Sequence, residues 1–176
     1  MNPTIQAIPV PSDIAISRSV AGADFMDCYA VPIGPNAPSA LAIFLQVASR
    51  TPGWVNRLMA LRNQVAARIG LKNLGHLNAI QASRSADDYR VGDRVGIFTI
   101  LHLSDDEVIL GDSDKHLDVK VSFCKITDAG HSLVAVSTVV HLHNLLGHVY
   151  MLIVAPIHRR IVPATLARLE TGQALG

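Results

Sequence analysis

Apolar positions recur every three or four residues before residue 70 and every second residue through much of 94–143. Leu41, Phe44, Leu45 and Ala48 share a helical stripe, so a helix is predicted through Ser39–Ser49, opened by Asn36-Ala37-Pro38. Thr51-Pro52 predicts a second start, because threonine caps and proline fits a first turn. Trp54, Leu58, Leu61, Val65 and Ile69 carry that second helix to Gly70, a C-cap. Ahead of both, Asp24–Ile33 reads as a strand ended by Pro32 and Gly34-Pro35.

Residues 71–93 read as a connector with a short strand near His76–Ile80. Sheet periodicity then takes over. Arg94–Leu101 is predicted as one strand, Ser104-Asp105-Asp106 as a turn, Glu107–Leu110 as a short strand and Gly111-Asp112-Ser113 as the next turn. Leu117, Val119, Val121 and Phe123 alternate with Asp118, Lys120, Ser122 and Cys124, the pattern of a half-buried strand. Asp128-Ala129-Gly130 closes it, and Leu133–His143 forms another. Leu145, Val149, Leu152, Ile153, Ile157 and Ile161 then form the core-facing stripe of a last helix, bent at Pro156 and bent or ended at Pro163.

The order strand, two helices, four or five antiparallel strands, long helix predicts an α+β fold. A curved antiparallel sheet wrapped around the last helix buries both apolar faces and leaves room for a cavity between them. Residues 1–22 read as an extended arm, 23–170 as one domain and 171–176 as a flexible tail.

Composition narrows the class. The chain has 176 residues, 49% hydrophobic and 16% charged, which is too apolar for a disordered chain. Fifteen basic against fourteen acidic residues give a net charge of +1 with no long basic run, so no nucleic-acid partner is expected. Cys28 and Cys124 are too few for a disulfide scaffold and read as buried thiols, although one bridge between them is compatible with the sequence. The first residues lack a secretory pattern, and Gly147, His148, Pro156 and His158 interrupt the last apolar stretch. A cytoplasmic location without stable membrane insertion is expected.

The densest polar run is Glu107–Asp118, within which His116 and Asp118 share a strand face. Asp118 could orient His116 as an acid–base pair, or both could belong to a solvated hairpin. His141, His143, His148 and His158 form a second group, but no HExxH or CxxC spacing accompanies them, so no metal or other cofactor is expected. Arg62-Asn63 offers a guanidinium and an amide to an anionic or carbonyl-bearing ligand, or to Asp114 or Asp118 as structural partners. His158-Arg159-Arg160 has the same two readings. No GxSxG elbow supports a serine nucleophile.

Taken in order, Pro52-Gly53-Trp54-Val55, Leu61-Arg62-Asn63, Gly96-Ile97-Phe98, the Glu107–Asp118 run, Ser137-Thr138-Val139-Val140, His143-Asn144, Leu146-Gly147-His148-Val149-Tyr150 and Pro156-Ile157-His158-Arg159 resemble the DUF2867 family of bacterial proteins. The pieces span roughly residues 24–169. Ile157 stands where the family often has an aromatic residue, and Lys115 where it often has arginine. The family is similar in layout to helix-grip proteins, including START-like lipid-binding domains and polyketide cyclases. The resemblance therefore implies a helix-grip fold, with Arg62, Asn63, Asp114, His116, Asp118, His143, Tyr150 and His158 in shared structural or pocket roles. It supplies no catalytic assignment.

Three functions fit these readings. The first is binding of a small apolar or amphipathic molecule between sheet and last helix, with residues such as Arg62, His116 or Tyr150 at its polar end. The second is a cyclase-, isomerase- or hydrolase-like enzyme using His116 and Asp118 in the same pocket. The third is a structural or regulatory interaction domain. A homodimer is compatible with all three.

Overall fold

The computed structural model describes residues 5–58, 60 and 84–170. Arg62 and Asn63, the rest of the second helix, the strand expected near 76–80 and the tail 171–176 lie outside the described residues.

Seven strands form one open, curved antiparallel sheet: β1 (Gln6–Ala7), β2 (Phe25–Pro32), β3 (Arg94–Val95), β4 (Phe98–Leu103), β5 (Glu107–Ser113), β6 (Leu117–Asp128) and β7 (His131–Leu142). Their spatial order is β1-β2-β7-β6-β5-β4-β3, so β2, early in the chain, pairs with the last strand. Helix α1 (Ala40–Ser49) follows β2, residues 53–58 are helical, and the long helix α2 (Leu145–Glu170) closes the chain. The expected α+β, helix-grip-like architecture is present.

Each element has a local cause. Ser39 caps α1, its hydroxyl accepting from Ala42 N–H at 3.3 Å. The buried face of α1 is wider than the predicted stripe: Ile43 and Val47 join Leu41, Phe44 and Ala48. The β6–β7 hairpin turns through Ala129 and Gly130, both at positive φ (46° and 80°), which suits the twist of a two-residue hairpin.

Two glycines correct the predicted strand boundaries. Arg94–Leu101 is not one strand. Gly96 takes φ +58°, and the chain folds back so that Val95 pairs with Phe98. Gly111 is not a turn. It lies within β5, where a Cβ would come 3.2 Å from the Val119 carbonyl and collide with Leu101. The turn falls three residues later, where the Asp114 carboxylate accepts from His116 N–H (2.7 Å) and Leu117 N–H (3.0 Å).

Sheet alternation divides the core. On one face Val31, Val108, Leu110, Phe123, Val134 and Val136 pack with α1, closed at one end by Leu166 and Leu169 of α2. On the other, Ile109, Cys124 and Val139 are covered by Ile14 and Ile16 of the N-terminal segment. That segment is not extended throughout, since Ala15–Ser19 forms a 3-10 turn.

Helix α2 is rotated from the predicted orientation. It runs unbroken through Pro156 and Pro163, and its buried positions include Gly147, Met151, Leu166 and Leu169. Leu145, Leu152 and Ile153 are instead 79%, 77% and 63% exposed, and Val149 is also exposed. The helix is apolar on both sides over its first half, so hydrophobic spacing alone could not choose the inward face. Polar anchors to the sheet choose it.

Candidate functional site

On the face of the sheet that carries both helices, Asp27 of β2 lies directly opposite Thr138 of β7. His158 of α2 reaches down to both: its Nε2 is 3.1 Å from Thr138 Oγ1 and 3.5 Å from Asp27 Oδ2. The Asp27 side chain is only 10% exposed, and neither carboxylate oxygen accepts a hydrogen bond among the described residues. Phe25 packs edge-on against the His158 ring (5.8 Å between centroids), and the Arg159 guanidinium sits 5.5 Å from the Phe25 ring. Tyr29, two residues along β2, has its phenol pKa raised by burial and by the Asp27 charge, with Arg159 acting in the opposite direction. A carboxylate, an imidazole and a hydroxyl thus meet under α2. Together they can accept a hydrogen bond from a ligand and exchange a proton with it.

The residues of the Glu107–Asp118 run do different work. His116 and Asp118 are not brought together as an acid–base pair. His116 is buried, with Nδ1 3.1 Å from Asn144 Oδ1 and Nε2 without a hydrogen bond among the described residues. Asn144 also receives Gly147 N–H (3.1 Å) at the start of α2 and donates from Nδ2 to the Lys115 carbonyl (2.9 Å). His143 N–H donates to the His116 carbonyl (2.9 Å). This clasp joins the β5–β6 turn to the N-terminus of α2. Asp118 instead takes the Ser113 hydroxyl and lies 3.1 Å from His143 Nε2. Asp114 orders the turn, as described above. Tyr150 is half-buried on α2 and engaged by a neighbouring group. Of the ligand-binding candidates in the sequence, His158 alone is placed in the Asp27 cluster by the described residues.

The opposite face has a half-open hollow of about 790 Å³ between the N-terminal segment and the sheet, with Ile8, Ile14, Cys124, Ile126 and Leu133 in its lining. Its main polar groups are already engaged. Glu107 is buried at 5% exposure and accepts from Ala15 N–H (2.6 Å), Ile16 N–H (3.1 Å) and the Ser122 hydroxyl (2.8 Å). Lys125 pairs with Asp105 at 2.6 Å and Asp106 at 3.3 Å, and Asp105 is the main cause of its raised pKa. The Cys124 thiol is pushed up to about 12, first by burial and then by the Glu107 charge, which makes it a packing group at neutral pH. This chemistry fastens the segment to the sheet. Among the described residues, the buried side-chain atoms without a hydrogen bond belong to Asp27, Asn56 and His116, none of which lines this hollow. Among the described residues, no three His, Cys, Asp or Glu side chains converge to hold a metal ion.

The family model described as "Protein of unknown function (DUF2867)" matches residues 19–165, which include every element from β2 to most of α2. The chain belongs to the DUF2867 family. Comparison with curated proteins and with solved structures returned no match. Within the DUF2867 span, both the clasp at His116, Asn144 and Gly147 and the cluster at Asp27, Thr138 and His158 are included. Asp27 and Thr138 were not singled out by the sequence. Thr138 lay in a run of strand residues, and Asp27 gave no signal beyond being an acidic residue inside a predicted strand. Strand parity was the available clue: Asp27 shares a face with Phe25, Tyr29 and Val31.

Proposed function

We propose that the protein binds a small amphipathic molecule between the sheet and α2, with Asp27, Thr138 and His158 receiving its polar end. One observation carries this reading, the buried Asp27 carboxylate whose two oxygens lack hydrogen bonds among the described residues. Such a group costs on the order of several kcal/mol to bury, and a hydroxyl or ammonium on a ligand offsets that cost. The apolar surroundings of Phe25 and Tyr29 suit the rest of such a molecule. Access requires α2 to shift, and α2 has few deeply buried side chains with which to resist: Met151, Leu166 and Leu169.

The test uses decylamine, decanol and decanoate as probes, measured by calorimetry and native mass spectrometry. The amine and the alcohol are expected to bind in preference to decanoate, and Asp27→Asn to weaken the amine at least tenfold, about 1.4 kcal/mol. Asp27→Asn is also expected to raise the thermal midpoint of the unliganded protein, because a buried carboxylate that accepts no hydrogen bond among the described residues and meets His158 Nε2 at 3.5 Å is replaced by a neutral amide. Equal binding by wild type and Asp27→Asn, or a preference for decanoate, overturns the reading.

A second reading has its own observation, the position of His158 Nε2 within reach of both Thr138 and Asp27. In a cyclase-, isomerase- or hydrolase-like enzyme that pair moves a proton on the bound molecule. His158→Gln then abolishes turnover while leaving probe affinity within a few-fold, whereas in a pure binding protein no turnover exists to lose.

A further inference from the structure

The outer side of α2 carries a feature that ligand binding does not use. Leu145, Val149, Leu152 and Ile153 make an exposed apolar stripe along its first half. The stripe has charged ends of opposite sign. Past its C-terminal end stand the exposed Arg159 and Arg160. Beside its N-terminal end stands Asp24, whose carboxylate receives Leu142 N–H and lies 3.9 Å from His148 Nε2. Between Leu145 and Leu169 the helix has no acidic residue.

We infer that this face binds a second copy of the chain, with the two α2 helices packed antiparallel about a two-fold axis near Met151. Under that symmetry residues equally far from the axis face one another. Arg159 and Arg160 of one copy then fall opposite residues 142–143 of the other, beside Asp24, and the four apolar side chains lie between them. A parallel arrangement sets like charge against like. An anionic bilayer attracts the arginine end but repels the aspartate end, so the two-signed face fits a copy of itself better than a lipid surface. The stripe alone is smaller than the ~800 Å² per partner of a standard interface, so the association is reversible and depends on concentration.

Sedimentation velocity on the full chain provides the test. Wild type is expected to pass from monomer to dimer as concentration rises. Leu152→Glu, at an outward position, is expected to stay monomeric with an unchanged thermal midpoint. Arg160→Glu is expected to weaken the dimer at least tenfold, and added salt to weaken the wild-type dimer. A bis-maleimide is expected to join two Leu152→Cys copies, which sit near the axis. It is not expected to join two Leu145→Cys copies directly, since Leu145 faces a position about 18 Å along the helix from its own counterpart. A chain that stays monomeric up to ~0.1 mM, a Leu152→Glu dimer of wild-type affinity, or ready Leu145→Cys cross-linking overturns the inference. Flotation of a monomeric wild type with phosphatidylserine vesicles also overturns it, assigning the face to a bilayer.

Discussion

Glu107 and Asp27 show how differently two buried carboxylates can be treated. Glu107 sits among three donors and ties the Ala15–Ser19 turn to β6 through Ser122. Glu107→Ala strands all three donors and is expected to cost about 3–5 kcal/mol in urea denaturation. A cost under about 1 kcal/mol would show that the N-terminal segment is seated by its isoleucines alone. Cys124 supplies a pH test. Its thiol titrates near the ordinary value of 9.0 when unfolded and near 12 when folded. The folded state therefore holds the proton longer. Its contribution to stability is complete below pH 9 and is lost as the pH rises toward 12. Cys124→Ala is expected to make the alkaline fall in stability shallower, and an unchanged alkaline limb would mean that the thiol meets solvent in the folded protein. At this scale the sequence exposed part of the site. His158 stood out as a histidine among apolar helix positions, whereas Asp27 is an ordinary residue whose significance depends on Thr138, far away along the chain.

Elements with a single buried face were legible, and those with ambiguous punctuation were not. The alternation through Leu117–Phe123 located β6, and the cap and stripe of α1 located that helix. Glycine misled twice, because the same residue serves a reversal at Gly96 and a close approach of backbone and side chains at Gly111. The start of α2 rests on a second close approach. A Cβ on Gly147 runs into the His116 carbonyl oxygen. Gly147→Ala is therefore expected to destabilise the protein by about 1–3 kcal/mol, against the usual gain from alanine in a helix. A neutral or stabilising result in chemical denaturation would mean that the clasp has slack. The orientation of α2 was illegible because both of its sides are apolar, and the decisive contacts come from a remote turn at His116 and a remote strand at Asp27.

For the molecule as a whole, the order of elements was enough to predict an antiparallel sheet beside a terminal helix, because hairpin-connected strands have few alternatives. It was not enough to say which face of that helix the sheet would keep. Nor did it show that the N-terminal segment would cover the reverse face. The sheet also limits its own exposed margins: β1 and β3, at its two borders, are two residues long each. Its interior joint is the pairing of β2 with β7, where Ser137 donates to Cys28 across 109 residues of chain. During synthesis β2 leaves the ribosome with only the two-residue β1 to pair with, and its long partner β7 arrives only after β3 to β6 have been made. The meander can close hairpin by hairpin from its local turns, but β2 must wait and then be captured across the largest loop in the fold. Conditions that delay β7 therefore leave the β7-facing edge of an eight-residue strand open, with Cys28 and Val31 uncovered, to capture by another molecule.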